Sequence, residues 1–218
     1  SVSVDLAQRL SHFCCELAEQ ALESHQEQEC LAYLKRAKRH NADNPRVSFL
    51  RAQLSMQQDN YTDAKRHLLI MSQQDVQLVP EIIQPLHLCF TKLADIDGWQ
   101  AWLSQAMSQN PSTSLLLAQA HEIGQQNNSD AAAYVTEKLR QRPSLKGFNY
   151  LIDLHMQWAS DNAKDSLQVL KGLTVALQNS KPQYRCRQCG FAGNSMHWQC
   201  PSCHQWDTTK PIYGLEGE

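Results

Sequence analysis

The chain has 218 residues and a formal net charge of −2, with 8 Gly, 8 Pro and 7% aromatic residues. That length accommodates one large domain, or a large one with a small one, and a composition in which Leu, Ala and Gln make up about a third of the residues favours helix. Near-neutral charge and a pI near 6.5 supply no global field toward DNA, RNA or an anionic membrane surface, which disfavours a dedicated nucleic-acid binder. No stretch approaches the roughly 18–20 apolar residues that cross a bilayer, and no signal peptide precedes the first helix-like segment, so the chain as given is expected to be soluble. It lacks an initiator Met and enters a helical pattern almost at once, which raises the expectation that the natural protein begins upstream of Ser1.

In chain order the pattern predicts five helix pairs, over about 5–40, 44–74, 79–109, 112–142 and 145–179. Asp43-Asn44-Pro45 offers N-caps followed by a proline suited to a first turn, and Asn127-Asn128-Ser129-Asp130 offers further caps before Ala131. Polar clusters at 58–60, 95–98 and 109–111 separate the other segments. Asp95 and Asp97, in one such cluster, read as a solvated cap rather than an acid/base pair. Pro85 falls inside the third pair, where it predicts a late start or a kink.

Residues superpose at a period of 34: Phe13 on Val47, Ala18 on Ala52, Leu22 on Met56, Cys30 on Ala64, Leu34 on Leu68 and Ala37 on Met71. Tyr61, Ala64, Leu68 and Met71 have the spacing that tetratricopeptide repeats use on their second helix, where a small residue lets two helices approach. Leu117 on Leu151, Val135 on Val169 and Leu139 on Leu173 continue the period in degenerate form. The fold class predicted is all-α, a solenoid of tetratricopeptide-type helix pairs over 1–179, whose stacking creates an extended concave surface for a partner.

After Lys181-Pro182 the composition changes, and residues 180–218 predict a separate small module. Four of the eight cysteines, Cys186, Cys189, Cys200 and Cys203, form two C-x2-C pairs. Each such turn points two thiolates at one centre, and two turns complete a tetrahedral four-sulfur site. So short a segment cannot hold a fold by hydrophobic burial alone, so metal must contribute. The expected ion is one zinc, with iron possible because tetrahedral sulfur ligation accepts either. Four thiolates close the shell, which predicts a structural site rather than a catalytic one. A redox dithiol and four free thiols are the competing readings. Gly190 suits the left-handed position of the first turn, whereas His204 stands where the second turn calls for a glycine. His197 and His204 are expected at the surface rather than as ligands, and Phe191, Trp198, Trp206 and Tyr213 are expected to cover the module or pack it on the last helices. Cys14, Cys15, Cys30 and Cys89 lie on helical segments and read as core.

None of the common phosphate-cradling, zinc-hydrolase or nucleophile-elbow motifs occurs. His87 and Cys89, two apart, would not share a helical face. The module's charge of +1 is low for a nucleic-acid ribbon. No enzyme is predicted.

Degenerate repeats followed by Lys181-Pro182-x-Tyr184-Arg185-Cys186-x-x-Cys189-Gly190-Phe191, Trp198-x-Cys200-Pro201-x-Cys203 and Lys210-Pro211-Ile212-x-Gly214-Leu215 resemble the lipopolysaccharide assembly protein B family of Gram-negative bacteria. His12-Phe13-x-Cys15-Glu16-Leu17-Ala18 and Arg46-Val47-Ser48 resemble that family's middle repeats. The resemblance implies a rubredoxin-like metal module with Cys186, Cys189, Cys200 and Cys203 as ligands. It also implies an N-terminal transmembrane anchor and further repeats upstream. It further implies a non-enzymatic adaptor at the cytoplasmic face of the inner membrane. The implied partners are a membrane-anchored AAA protease, the lipid A deacetylase as its client, and an inner-membrane regulatory protein that restrains the adaptor. No nucleic-acid partner is implied.

Overall fold

The computed structural model describes residues 2–215 and 217–218, with side chains described from Asp5 onward. Ten α-helices are found among them: α1 (Val2–Glu23), α2 (Glu27–His40), α3 (Pro45–Gln57), α4 (Tyr61–Gln74), α5 (Val79–Lys92), α6 (Ile96–Gln109), α7 (Thr113–Gln126), α8 (Asn128–Gln141), α9 (Leu145–Met156) and α10 (Asp161–Asn179). Three short strands follow: β1 (Tyr184–Cys186), β2 (Ala192–Gly193) and β3 (Thr209–Pro211). The chain divides into two compact units, residues 1–100 and 101–218.

Helix boundaries follow the caps. Asn44 accepts a hydrogen bond from the Arg46 N–H with Pro45 in the first turn of α3, Asn60 caps α4 through Asp63, and Asn127 caps α8 through Ser129. Asp95 accepts from the Gly98 N–H and from Lys65 Nζ at 2.8 Å, so it caps the start of α6, and the Lys65 ammonium holds its carboxyl below the usual range.

In the first unit the 34-residue period is a packing period. Helices α2 and α4 begin and end 34 residues apart, and the paired positions Cys30 and Ala64, Leu34 and Leu68, and Ala37 and Met71 are all buried. Cys14, Cys15, Ala18, Leu22, Cys30 and Leu34 form one core with Val47, Leu50 and Leu54 of the next pair. All four helical cysteines are buried thiols, as expected of small hydrophobes, and burial pushes Cys30 and Cys89 up. Arg46, 2% exposed, reaches from α3 to Glu16 at 2.6 Å and Glu19 at 2.5 Å on α1.

Three repeat correspondences fail in burial. Val47 is buried against the pair before it, whereas its counterpart Phe13 on α1 is exposed, because α1 has no earlier pair to face among the described residues. In the second unit Val135 and Leu139 lie in a core with Ala120, while Val169 and Leu173 on α10 are 65% and 66% exposed. Helix α8 is followed by a helix that packs on it, α10 by the cysteine module.

Pro85 does not delay its helix. Helix α5 starts at Val79, with Pro80 in its first turn, and runs through Pro85. An interior proline costs about 3 kcal/mol. Ile82, Ile83, Leu86 and Phe90 are all buried on this helix, and each contributes about 1.5–3 kcal/mol, so burial outweighs the lost backbone bond.

Candidate metal centre

Residues 184–211 build a three-stranded antiparallel sheet in the order β2-β1-β3, with Tyr184 opposite Gly193 on one side and Pro211 on the other. The module holds two turns of matching hydrogen bonding, the first at the end of β1 and the second closed by the isolated bridge of Gln199 with Trp206. In the first, the Cys186 N–H donates to Phe191 O at 2.7 Å and the Gly190 N–H to Cys186 O at 3.0 Å. In the second, the Cys200 N–H donates to Gln205 O at 2.9 Å and the His204 N–H to Cys200 O at 2.9 Å. Gly190 (φ +79°) and His204 (φ +57°) both take the left-handed conformation, so histidine fills the glycine position without changing the turn.

The turns bring the four sulfurs within 4.8 Å of one another. Cys186 Sγ is 3.7 Å from Cys203 Sγ, and Cys189 Sγ is 3.7 Å from Cys200 Sγ. A tetrahedron with metal–sulfur bonds near 2.3 Å has sulfur–sulfur edges of about 3.8 Å, so the set has the dimensions of a four-thiolate site for one ion.

Electrostatics agree with the geometry. Burial pushes Cys186 up, but its hydrogen bond with the Thr208 hydroxyl and those from the Cys189 and Gln188 N–H groups outweigh it and leave the thiol at about 6. The Phe191 N–H is the main cause of a lowered Cys189. The Gln205 N–H favours the thiolate of Cys203, yet burial and the other three sulfurs push it up to about 12. Four thiolates at this separation need a cation among them, and a dication would let all four ionise together.

His197 and His204 stand outside the sulfur set, half-buried and exposed respectively. Trp206 is buried in the module, and the Phe191 ring meets His197 at 6.4 Å. Tyr213 carries no core role: it is exposed, and its hydroxyl accepts from Asn110 Nδ2 at 3.2 Å.

A second feature was not legible in the sequence. The segment after β3 returns to the helices: the Leu145 N–H donates to Leu215 O at 2.9 Å, and the Glu218 carboxylate accepts from the Ser114 N–H at 2.8 Å, the Ser114 hydroxyl at 2.6 Å and Lys146 Nζ at 2.8 Å. This clasp joins the module to the first turns of α7 and α9. A Cβ on Gly217 would lie 1.9 Å from Ile212 O, so only glycine lets the segment fold back.

Residues 184–211 match the family described as the rubredoxin metal binding domain. The module is of rubredoxin type. Over 99% of its length the chain is 33% identical to lipopolysaccharide assembly protein B of Escherichia coli strain K12, and over 95% it is 29% identical to the protein of that name from Haemophilus influenzae. The resemblance carried by the sequence is thereby borne out. The chain spans 59% and 52% of those relatives' lengths. Among the described residues no helix is long and apolar enough to cross a membrane.

Proposed function

We propose that the chain is a non-enzymatic adaptor that regulates lipopolysaccharide biosynthesis at the cytoplasmic face of the bacterial inner membrane. Residues 1–179 act as the repeats that hold a lipid A deacetylase client and a membrane-anchored AAA protease together, and an inner-membrane regulatory protein restrains them. Residues 180–218 act as the metal module, with Cys186, Cys189, Cys200 and Cys203 as ligands to one structural zinc. The relatives' shared name supports the pathway. The clasp of Glu218 on Ser114 and Lys146 is the observation that carries the mechanism, because it ties a metal-ordered module to two repeat helices. Metal therefore acts through shape.

Replacing Cys186 and Cys189 by Ser tests this reading. The expected result is loss of bound metal together with persistence of the deacetylase in cells carrying the variant. Normal client turnover without bound metal would contradict it.

One observation favours a second reading, rubredoxin-like electron transfer. Cys189 is exposed, which gives a sulfur-bound iron a short route to solvent. That reading requires a bound iron that cycles reversibly, and a redox-silent zinc protein excludes it.

A further inference from the structure

Helix α2 ends in Lys35, Arg36, Ala37, Lys38, Arg39 and His40, and every one of these except Ala37 is exposed. Four permanent cations thus occupy five consecutive positions, in a chain whose net charge is −2, so the remainder carries −6. Several surface cations elsewhere are paired: Arg9 with Asp5, Arg66 with Asp63 and Lys171 with Asp153. Among the described residues Lys35, Arg36, Lys38 and Arg39 make no ion pair. Their spacings place Lys35 against Arg39 and Lys38, and Arg36 against Arg39, as like-charged neighbours that weaken the helix. Complementing the helix C-terminus explains the cations of the last turn, but Lys35 and Arg36 lie before it.

Buried His67 on α4 is held neutral first by burial and then by Arg66, Arg51 and Lys38, three cations from three helices that act on one imidazole, with Asp63 opposing them. Leu31, 45% exposed, lies one turn before Lys35 and adds an apolar side chain to the same face.

We infer that this face of α2 docks on an anionic phospholipid surface, with Lys35, Arg36, Lys38 and Arg39 meeting headgroup phosphates and Leu31 entering the interface. Long side chains without fixed partners suit a diffuse sheet of charge, where each cation strengthens partition about fivefold. A folded acidic partner would instead call for preset hydrogen-bond geometry. The choice of lipid over an acidic protein rests on the adaptor reading, which places the chain beside a membrane. There a weak contact is amplified because the partner surface is already near.

The test is cosedimentation of the 218-residue chain with vesicles of phosphatidylglycerol, and separately of phosphatidylcholine, in about 20 mM and about 300 mM salt, since screening shortens the reach of charge. Binding to phosphatidylglycerol alone, lost at the higher salt, is expected. The double variant Lys35→Gln, Arg39→Gln should bind about 25-fold more weakly, with an unchanged or raised melting temperature that shows it is folded. The variant Arg140→Gln, Lys164→Gln, on exposed cations of the second unit, should bind as the parent does. Absence of parent binding to phosphatidylglycerol, equal binding to both lipids, or an equal loss in the Arg140/Lys164 variant would overturn the inference. So would preferential binding of polyglutamate or a short DNA duplex at the same salt, which would give the face to an acidic protein or a nucleic acid. No client or protease is present, so this outcome is independent of the turnover experiment above.

Discussion

His204 occupies in the second cysteine turn the place that Gly190 occupies in the first: both are left-handed, and both donate to the carbonyl of the cysteine four residues earlier. The equivalence has a measurable consequence. A non-glycine residue in this conformation costs roughly 1–2 kcal/mol, and a β-branched one more. His204→Gly should therefore keep one metal per chain and hold it at least as firmly, while His204→Val should release metal at lower chelator concentration. Loss of metal from the glycine variant would instead make His204 a ligand.

The clasp predicts coupling between groups far apart in sequence. A double-mutant cycle on Glu218→Gln and Lys146→Met, read by denaturant unfolding, should give a coupling of roughly 0.5–1 kcal/mol, because Lys146 is 40% exposed and solvent screens the pair. A coupling of zero would mean that the carboxylate is held by Ser114 alone.

Gly217→Ala attacks the same clasp through the backbone. The added methyl collides with Ile212 O, so the segment must leave α7 and α9 while the cysteine turns remain intact. The expected result is full metal content with faster hydrogen exchange at the Leu145 amide. Unchanged protection of that amide would show that the turn adapts without releasing the helices.

His67 gives the first unit a pH dependence of definite sign. Burial, then Arg66, Arg51 and Lys38, lower its pKa from 6.5 to about 4, so the unfolded chain binds the proton first as pH falls. The contribution is complete above about pH 6.5, is lost between about 6.5 and 4, and amounts to roughly 3 kcal/mol. His67→Leu should flatten the stability profile of the parent across that window. A variant with the parent's slope would assign the dependence elsewhere.

Much of this was legible in the sequence, for physical reasons that particular residues show. Caps such as Asn44 and Asn127 are local, as are the hydrogen bonds that make a C-x2-C turn, so helix bounds and the four-sulfur site could be read directly. The period of 34 was legible because Leu34 and Leu68 bury the same face. It misled at Val169 and Leu173 because burial depends on what covers a helix, and α10 lacks the following helix that covers α8. The late start expected at Pro85 is absent because the local cost of proline is plain in sequence, whereas the packing of Ile82, Ile83 and Leu86 that offsets it is not. The bonds of Glu218 to Ser114 and Lys146 cross 104 and 72 residues, and no spacing rule encodes them.

Metal ordering of the cysteine module, and through its clasp of the repeat helices, is the step on which the proposed function rests. It is tested most directly by elemental analysis of the purified chain combined with hydrogen exchange at the Leu145 amide before and after a strong chelator. One zinc per chain, with Leu145 losing protection on chelation while amides in α2 and α4 keep theirs, is the predicted result. A chain without stoichiometric metal, or a Leu145 amide equally protected after the metal is gone, would contradict it.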